Sequence, residues 1–224
     1  MDILFCDFTG VYGNEGILRY GDVLDLKSLS GTKMYIDEEA ELKIREKING
    51  LGGPAGYKLR FLDNGNYHYM TRILASYEQD FFDLITFDNH SDDKVPEFSG
   101  LKSCGSWRLD IREENPYLAG SALIRKREDF EKNYVPSDLP LYISIDKDIL
   151  SEEVLNTNWD QGEMRDYELF DMLEMLFSSR DVTAIDVCGE DLPDAPIEAN
   201  RLFNEKLIRV ISGKMKRETE QVRR

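Results

Sequence analysis

The chain has 224 residues, a length that favours one large domain over two, and such a chain buries roughly 70% of the surface that its unfolded form exposes. With 44 acidic and 28 basic residues its formal charge is −16, which disfavours binding to nucleic acid and to anionic membrane surfaces because both carry negative charge. A hydrophobic content of 41% is typical of a packed globule, and no apolar run reaches the roughly 18 residues of a membrane-spanning helix.

The N-terminus and the cysteines indicate the compartment. The first residues are acidic rather than basic, so they do not resemble a signal peptide. Cys6, Cys104 and Cys188 are an odd and widely spaced set that forms neither a disulfide framework nor a Cys-x-x-Cys metal pair. We therefore expect one cytoplasmic domain over residues 1–224, in which residues 1–56 are hardest to interpret and residues 214–224 form a solvated basic tail.

Helical and extended patterns alternate along the chain. Apolar periodicity predicts, in order, a helix over 37–49, a strand over 57–62, a helix over 67–77, strands over 84–87 and 141–145, a helix over 166–177, a strand over 182–187, and a helix over 196–211 that Gly213 closes. This alternation predicts a three-layer α/β/α fold, in which helices cover both faces of a mainly parallel sheet. In such sheets, ligands bind beyond the carboxyl ends of the strands.

Acidic residues and histidines follow three of the predicted strands. The strand at 84–87 is followed by Asp88, His90 and Asp92, the strand at 141–145 by Asp146 and Asp148, and the strand at 57–62 by His68. Since extended chain has a period of two residues, the members of each acidic cluster point to one side. Taken alone, each acidic cluster could be a polar loop, and the histidine at 68 could be a hydrogen-bonded residue at a helix start.

Taken together, the three clusters favour a metal site, because each follows a strand of the same predicted sheet. Four carboxylates in one place repel one another unless cations neutralise them. Two divalent ions carry +4, which balances the −4 of the four aspartates. The sequence therefore predicts a two-metal centre rather than a site for a single ion.

The segments that carry these clusters resemble the ureohydrolases, the family of arginase, agmatinase and formiminoglutamase, over about 59–212. The family's Asp-Ala-His-x-Asp element is similar to Asp88-Asn89-His90-Ser91-Asp92, its Ser-x-Asp-x-Asp element to Ser144-Ile145-Asp146-Lys147-Asp148, and its Gly-Gly-Asp-His element, more loosely, to Gly65-Asn66-Tyr67-His68. The resemblance implies an arginase-like fold, and the chain would be a short and divergent member.

The resemblance also implies a set of metal ligands. One ion would be held by His68, Asp88, Asp92 and Asp146, and the other by Asp88, His90, Asp146 and Asp148, so that Asp88 and Asp146 bridge the two. Carboxylate oxygens with imidazole suit manganese. In this family a metal-bridging hydroxide attacks the carbon of a guanidino, amidino or amide group of a small-molecule substrate, and Asp92 would hold that hydroxide by a hydrogen bond. The resemblance suggests a homo-oligomer as well.

Three residues mark departures from the family pattern. Cys104 stands where the family has a proton-shuttling histidine, and it either takes over that role or, as we favour, is a small buried residue. Trp159 lies in a loop of altered chemistry, where it would either narrow the pocket and stack on a planar substrate or cover the end of the sheet. Glu190 lies one residue out of register with a glutamate that holds the substrate's guanidinium. The candidate catalytic residues are Asp92, Glu190 and Cys104.

The sequence thus predicts a manganese-dependent dinuclear hydrolase acting on a linear, non-peptide C–N bond. The altered residues leave a second hypothesis, a metal-binding domain of the same fold that lacks catalysis and serves as a sensor or interaction module. A third hypothesis, a deacetylase of the same superfamily with a single zinc ion, is disfavoured because Asp92 and Asp148 add ligands for a second ion.

Overall fold

The computed structural model describes the backbone of residues 2–96, 100–134 and 137–222, with side chains as far as Gly213. The side chains of the basic tail predicted at 214–224 therefore lie outside the described residues. Within the described part of the chain, no helix is both long and apolar enough to cross a membrane.

A sheet of seven parallel strands forms the middle layer. In chain order these strands are β1 (Asp2–Asp7), β2 (Asp22–Asp25), β4 (Tyr57–Phe61), β5 (Phe82–Phe87), β7 (Leu118–Ile124), β8 (Leu141–Asp146) and β9 (Val182–Cys188), and a separate antiparallel pair consists of β3 (Tyr35–Ile36) and β6 (Lys102–Ser103). The spatial order of the large sheet is β2-β1-β4-β9-β8-β5-β7. Every residue of β8 is buried, as expected for a central parallel strand that helices cover on both sides.

Helices form the two outer layers. On one face lie α1 (Val11–Glu15), α5 (Arg127–Asn133), α6 (Asp166–Ser179) and α7 (Glu198–Val222), and on the other lie α2 (Glu38–Gly50), α3 (Met70–Ala75) and α4 (Trp107–Glu114). Each face has its own hydrophobic core, to which successive residues of the strands contribute alternately. The predicted three-layer α/β/α architecture with a mainly parallel sheet is confirmed.

The structure differs from the predicted elements in two helices. The helix predicted over 67–77 begins later, because a short 3-10 turn at Gly65–Tyr67 precedes α3. The side chain of Asn64 stabilises that turn by accepting a hydrogen bond from the backbone N–H of Asn66 at 3.1 Å. The prediction that Gly213 ends the last helix is wrong, since this glycine does not adopt a left-handed φ and α7 continues through Val222.

Candidate metal centre

The predicted ligands gather at one edge of the sheet. Four neighbouring strands, β4, β9, β8 and β5, end at this edge, and the ligands follow three of them. His68 comes after β4, the cluster at 88–92 comes after β5, and the cluster at 146–148 begins at the last residue of β8. Sites form at this edge because the carboxyl ends of parallel strands meet there.

His68 lies at the centre of one half of the site. Its Nδ1 atom is 3.1 Å from Oδ2 of Asp146, 3.3 Å from Oδ2 of Asp92 and 3.5 Å from Oδ2 of Asp88. All four side chains are buried. Three carboxylate oxygens around one imidazole nitrogen form a compact set of oxygen and nitrogen donors.

His90 lies at the centre of the other half. Its Nδ1 atom is 2.7 Å from Oδ2 of Asp148 and 3.9 Å from Oδ1 of Asp88. Asp88 therefore presents one oxygen to each histidine, which is the arrangement that a bridging ligand requires. Oδ1 of Asp146 accepts a hydrogen bond from the backbone N–H of Asp148 at 3.0 Å, so the bridging role of Asp146 stays a prediction.

Two buried atoms of this cluster show that the donor set fits a cation. Among the described residues, Nδ1 of His68 and Oδ2 of Asp88 have no hydrogen-bond partner. A buried polar atom without a partner costs about 1–3 kcal/mol, and more when the group is charged. Because the two atoms lie 3.5 Å apart, a divalent cation bound to both would remove that cost. His68 with Asp88 and Asp92, and Asp88 with His90 and Asp148, are each close enough to hold one ion.

The acidity of these groups indicates that protons occupy the site when metal is absent. Burial together with Asp92, Asp146 and Asp148 raises the pKa of Asp88 well above its ordinary value. Burial and Asp146 raise the pKa of Asp148 to about 6. A hydrogen bond to Asp148 raises the pKa of His90 to about 9. These side chains therefore retain protons at the positions where cations would otherwise neutralise the carboxylates. Crowded acidic ligands are expected to behave in this way.

Polar neighbours fix the orientation of the ligands. Nε2 of His68 is 2.9 Å from Oγ of Ser144, which leaves Nδ1 directed at the carboxylates. The indole Nε1–H of Trp107 donates to Oδ2 of Asp92 at 2.5 Å. Nε2 of His90 is 3.2 Å from Oδ1 of Asp160. Such partners set the tautomer of a ligating histidine and increase its basicity.

Replacing Asp160 by alanine should lower the affinity for one of two bound cations by roughly tenfold, because His90 loses its outer partner. Titration of metal-free protein with Mn²⁺ by calorimetry measures the effect. Glu163→Ala is the matched control, since it removes an exposed carboxylate of the same loop that has no described contact with a candidate ligand. Equal losses in both variants would assign the effect to general charge rather than to His90.

A narrow cavity of about 40 Å³ lies directly over the carboxylates. Lys94, Cys104 and Gly105 form part of its wall, and Trp159 closes the side next to Gly65. A Cβ atom at Gly65 would lie 2.5 Å from Cδ1 of Trp159, so only glycine allows the indole to pack here. The indole also meets the His90 ring edge to face, with centroids 5.9 Å apart. Trp159 therefore lines the pocket, a position that agrees with both of its interpretations.

Cys104 is almost completely buried beside the same cavity. Burial, together with Asp92 and Asp146, raises the pKa of its thiol to about 12. A thiol of that pKa is a poor proton donor at neutral pH. The burial of Cys104 agrees with its interpretation as a small buried residue, and its role stays a prediction.

Glu190 lies apart from the cavity-lining residues. Its Oε2 atom is 2.6 Å from Nζ of Lys147, and its Oε1 accepts a hydrogen bond from Nδ2 of Asn204 at 2.8 Å. All three side chains are completely buried. A substrate cation would have to displace Lys147 to reach this carboxylate, so the structure does not bring Glu190 together with the metal ligands.

The chain passes from β9 to Glu190 through a glycine that no other residue could replace. Gly189 has a φ of 90°, in the left-handed region. A Cβ atom at this position would overlap Oδ1 of Asp146. The close approach of β9 to Asp146 therefore depends on Gly189.

A second buried carboxylate, that of Glu15, completes the Lys147 cluster. It accepts a hydrogen bond from Nδ2 of Asn204 at 2.9 Å. Burial and the proximity of Glu190 raise the pKa of Glu15 to about 9. Burial and Glu190 therefore favour the neutral form of Glu15, which lies beside the ion pair of Lys147 and Glu190.

The raised pKa of Glu15 predicts a stability that falls with pH. Between its ordinary pKa near 4.5 and about 9, the folded chain keeps a proton that the unfolded chain has lost. The free energy of unfolding should therefore decrease as pH rises through this range, by up to about 1.4 kcal/mol per pH unit from this group. Urea unfolding of wild type and Glu15→Gln at pH 6, 7 and 8 measures it, with a flatter slope expected in the variant. Parallel slopes would contradict the assignment.

The structure adds four residues that sequence reasoning did not place at the site. They are Trp107, Lys147, Asp160 and Cys188, each within or next to a ligand cluster. Lys147 carried a signal, because a charged residue between Asp146 and Asp148 follows a fully buried strand. The other three make contacts across the sheet edge that local spacing does not encode.

Comparisons with known proteins bear mainly on the fold. No family model matches the sequence. Among curated sequences, an uncharacterised protein of Thermotoga maritima is 28% identical over 203 residues, which cover 84% of this chain and 79% of that protein.

Solved structures of low sequence identity share the fold. Proclavaminate amidino hydrolase from Streptomyces clavuligerus matches with a TM-score of 0.62 at 13% identity, over 90% of this chain and 89% of that one. Formimidoylglutamase from Bacillus subtilis matches with a TM-score of 0.59 at 13% identity, over 90% and 83%. A triple mutant of the Trypanosoma brucei arginase-like protein, bound with Mn²⁺, matches with a TM-score of 0.56 at 15% identity, over 96% and 90%. The chain therefore has the arginase-like α/β fold that the sequence resemblance predicted.

Proposed function

We propose that this chain is a hydrolase of a linear, non-peptide C–N bond in a small molecule, and that it uses two divalent cations, manganese in the first instance. The observation that carries the proposal is the pair of buried atoms, Nδ1 of His68 and Oδ2 of Asp88, that face each other at 3.5 Å without a hydrogen-bond partner among the described residues. Two structural neighbours are named for the amidino and formimidoyl groups, and these names support the proposed bond type.

The chain's own residues would hold the cations as two sets that share Asp88. His68, Asp92 and Asp146 would complete the first set, and His90 and Asp148 the second. Bound there, two divalent cations would supply a water that ionises near neutral pH and positive charge to stabilise a tetrahedral intermediate.

In the proposed reaction, Asp92 would accept and return protons. Trp107 and His68 both contact its Oδ2 atom, which fixes the carboxylate and leaves Oδ1 to accept a proton from the attacking water. The same atom can return the proton to the leaving nitrogen, as general acid–base catalysis requires. Trp159 limits the space over the carboxylates, so the substrate would enter with its planar C–N end first.

The test has two parts. Metal analysis of protein reloaded with Mn²⁺ after chelation should give close to two ions per chain. A screen of guanidino, amidino and acylated-amine compounds, with release of urea, ammonia or free amine as readout, should find turnover that a chelator abolishes and Mn²⁺ restores. Fully loaded protein that turns over none of these compounds would overturn the proposal.

Two observations favour a second candidate, a metal-binding domain without catalysis. The first is that the cavity is small, and that among the described residues every carboxylate lining it belongs to the ligand set. The second is that Glu190, the candidate for binding a substrate cation, is already paired with Lys147. The same screen distinguishes the candidates, since this one predicts two bound ions and no turnover.

A further inference from the structure

Cys188 lies closer to the proposed metal centre than its sequence position suggests. It is the last residue of β9, which runs between the strands that precede His68 and Asp146. In the register of the sheet, Cys188 is the direct partner of Asp146. Its sulfur, a ring nitrogen of His68 and a carboxylate oxygen of Asp146 all lie within 4.8 Å of one another.

Among the described residues, the thiol of Cys188 has few competing contacts. The side chain is buried, and its thiol donates a single described hydrogen bond, to the carbonyl oxygen of Asn64 at 3.3 Å. The neighbouring Nδ1 atom of His68 is completely buried and lacks a hydrogen-bond partner among the described residues. A cysteine beside an unsatisfied imidazole and a carboxylate forms a set of three metal donors.

We propose that Cys188 is a ligand of the cation on the His68 side, in addition to the oxygen and nitrogen donors, and that it makes this position selective for zinc over manganese. The inference rests on the metal centre of the proposed function. On binding, the thiol gives its proton to the solvent and a sulfur lone pair forms the bond to the metal, with no change of oxidation state. Thiolate sulfur favours zinc, whereas the His90 side keeps only oxygen and nitrogen donors, which suit manganese.

Cobalt is the probe for this ligand, because a thiolate bound to Co²⁺ gives an intense charge-transfer absorption in the near ultraviolet. Full-length protein is stripped with a chelator and titrated with Co²⁺. Wild type should show the band. It should be lost in Cys188→Ser and kept in Cys104→Ser, the matched control, since Cys104 is the other buried cysteine near the carboxylates.

The outcomes separate this inference from the proposed function. Cobalt that binds wild type without the band, or a band that persists in Cys188→Ser, would overturn the Cys188 assignment and leave the two-metal centre standing. No cobalt binding at all would overturn the metal centre and the Cys188 assignment with it.

X-ray absorption at the zinc edge of wild-type protein gives a test that needs no variant. One sulfur scatterer on zinc is the expected result, and a shell of oxygen and nitrogen alone would overturn the assignment. In folded Cys188→Ser, zinc affinity should fall by at least roughly the tenfold that loss of a supporting side chain causes at metal sites. Manganese affinity on the His90 side should stay unchanged, and a parallel fall in both would contradict the selectivity.

Discussion

Replacing Asp88 by asparagine should abolish binding of both cations and lower turnover by at least about a thousandfold, which corresponds to about 4 kcal/mol of lost transition-state stabilisation. The effect is large because, of the carboxylates that the structure describes, only that of Asp88 presents one oxygen to each histidine. Asparagine keeps the shape of the side chain but removes the charge. Metal analysis after loading with Mn²⁺, together with turnover of the best substrate from the screen, measures both losses.

The same variant should have an opposite effect on the metal-free protein. Burial and three neighbouring carboxylates make Asp88 an unfavourable anion, since they raise its pKa well above its ordinary value. Asp88→Asn should therefore be at least as stable as wild type in the presence of a chelator. Added Mn²⁺ should stabilise wild type by about 2.7 kcal/mol for each bound cation at a free concentration one hundred times its Kd, and should leave the variant unchanged.

Asp93→Asn is the matched control for Asp88→Asn. Asp93 belongs to the same segment, but its carboxylate pairs with Arg108 at 3.2 Å and Arg112 at 2.9 Å instead of the histidines. This variant should keep both cations and the stabilisation by Mn²⁺. An Asp88→Asn protein that still bound two ions per chain would contradict the bridging role.

The strand-end clusters could be predicted from sequence because each depends on a short-range rule. A buried parallel strand has an apolar run that ends abruptly, and a period of two aligns Asp146 with Asp148 directly after it. Alternation of strand and helix then places all such ends at one edge of the sheet. The fold class and the meeting of His68 with the two acidic clusters therefore follow from local pattern.

The N-terminal part and the outer strand could not be predicted in the same way. β1 was not predicted as a strand, although residues 3–6 are all apolar. β7 is an edge strand of small and half-exposed residues, so it lacks both the buried apolar run and the strict alternation. Their positions depend on pairing with strands that are distant in sequence.

Which side chains contact one another within the site could not be predicted from sequence either. Glu190 keeps a family spacing to Pro193, yet its carboxylate pairs with Lys147, because the register of β8 and β9 brings the two strand ends together. The same register places Cys188 beside Asp146, although the two residues are 42 positions apart in the sequence. Spacing along the chain identifies which strand ends carry donors, and only the strand order decides which donors meet.

Replacing Lys147 by methionine should destabilise the metal-free protein by about 3–5 kcal/mol, the cost of leaving a buried partner charge uncompensated. Lys147 is completely buried, and its Nζ contacts Oε2 of Glu190 at 2.6 Å and Oδ1 of Asn200 at 2.6 Å. Methionine has a similar length and no charge, so packing is largely kept. Urea unfolding of chelated protein at pH 7 measures the loss.

A double-mutant cycle distinguishes the charge effect from a packing defect. In Lys147→Met/Glu190→Gln both charges are absent, so most of the lost stability should return. Glu15→Gln alone should stabilise the protein at pH 7, because the folded wild-type chain must bind a proton there that the amide does not need. A double variant no more stable than Lys147→Met would show that Glu190 is not the partner whose charge Lys147 neutralises. The recovered variant also removes the Lys147 cation from the end of β8, so its affinity for Mn²⁺ reports whether the buried pair holds Asp146 and Asp148 in place.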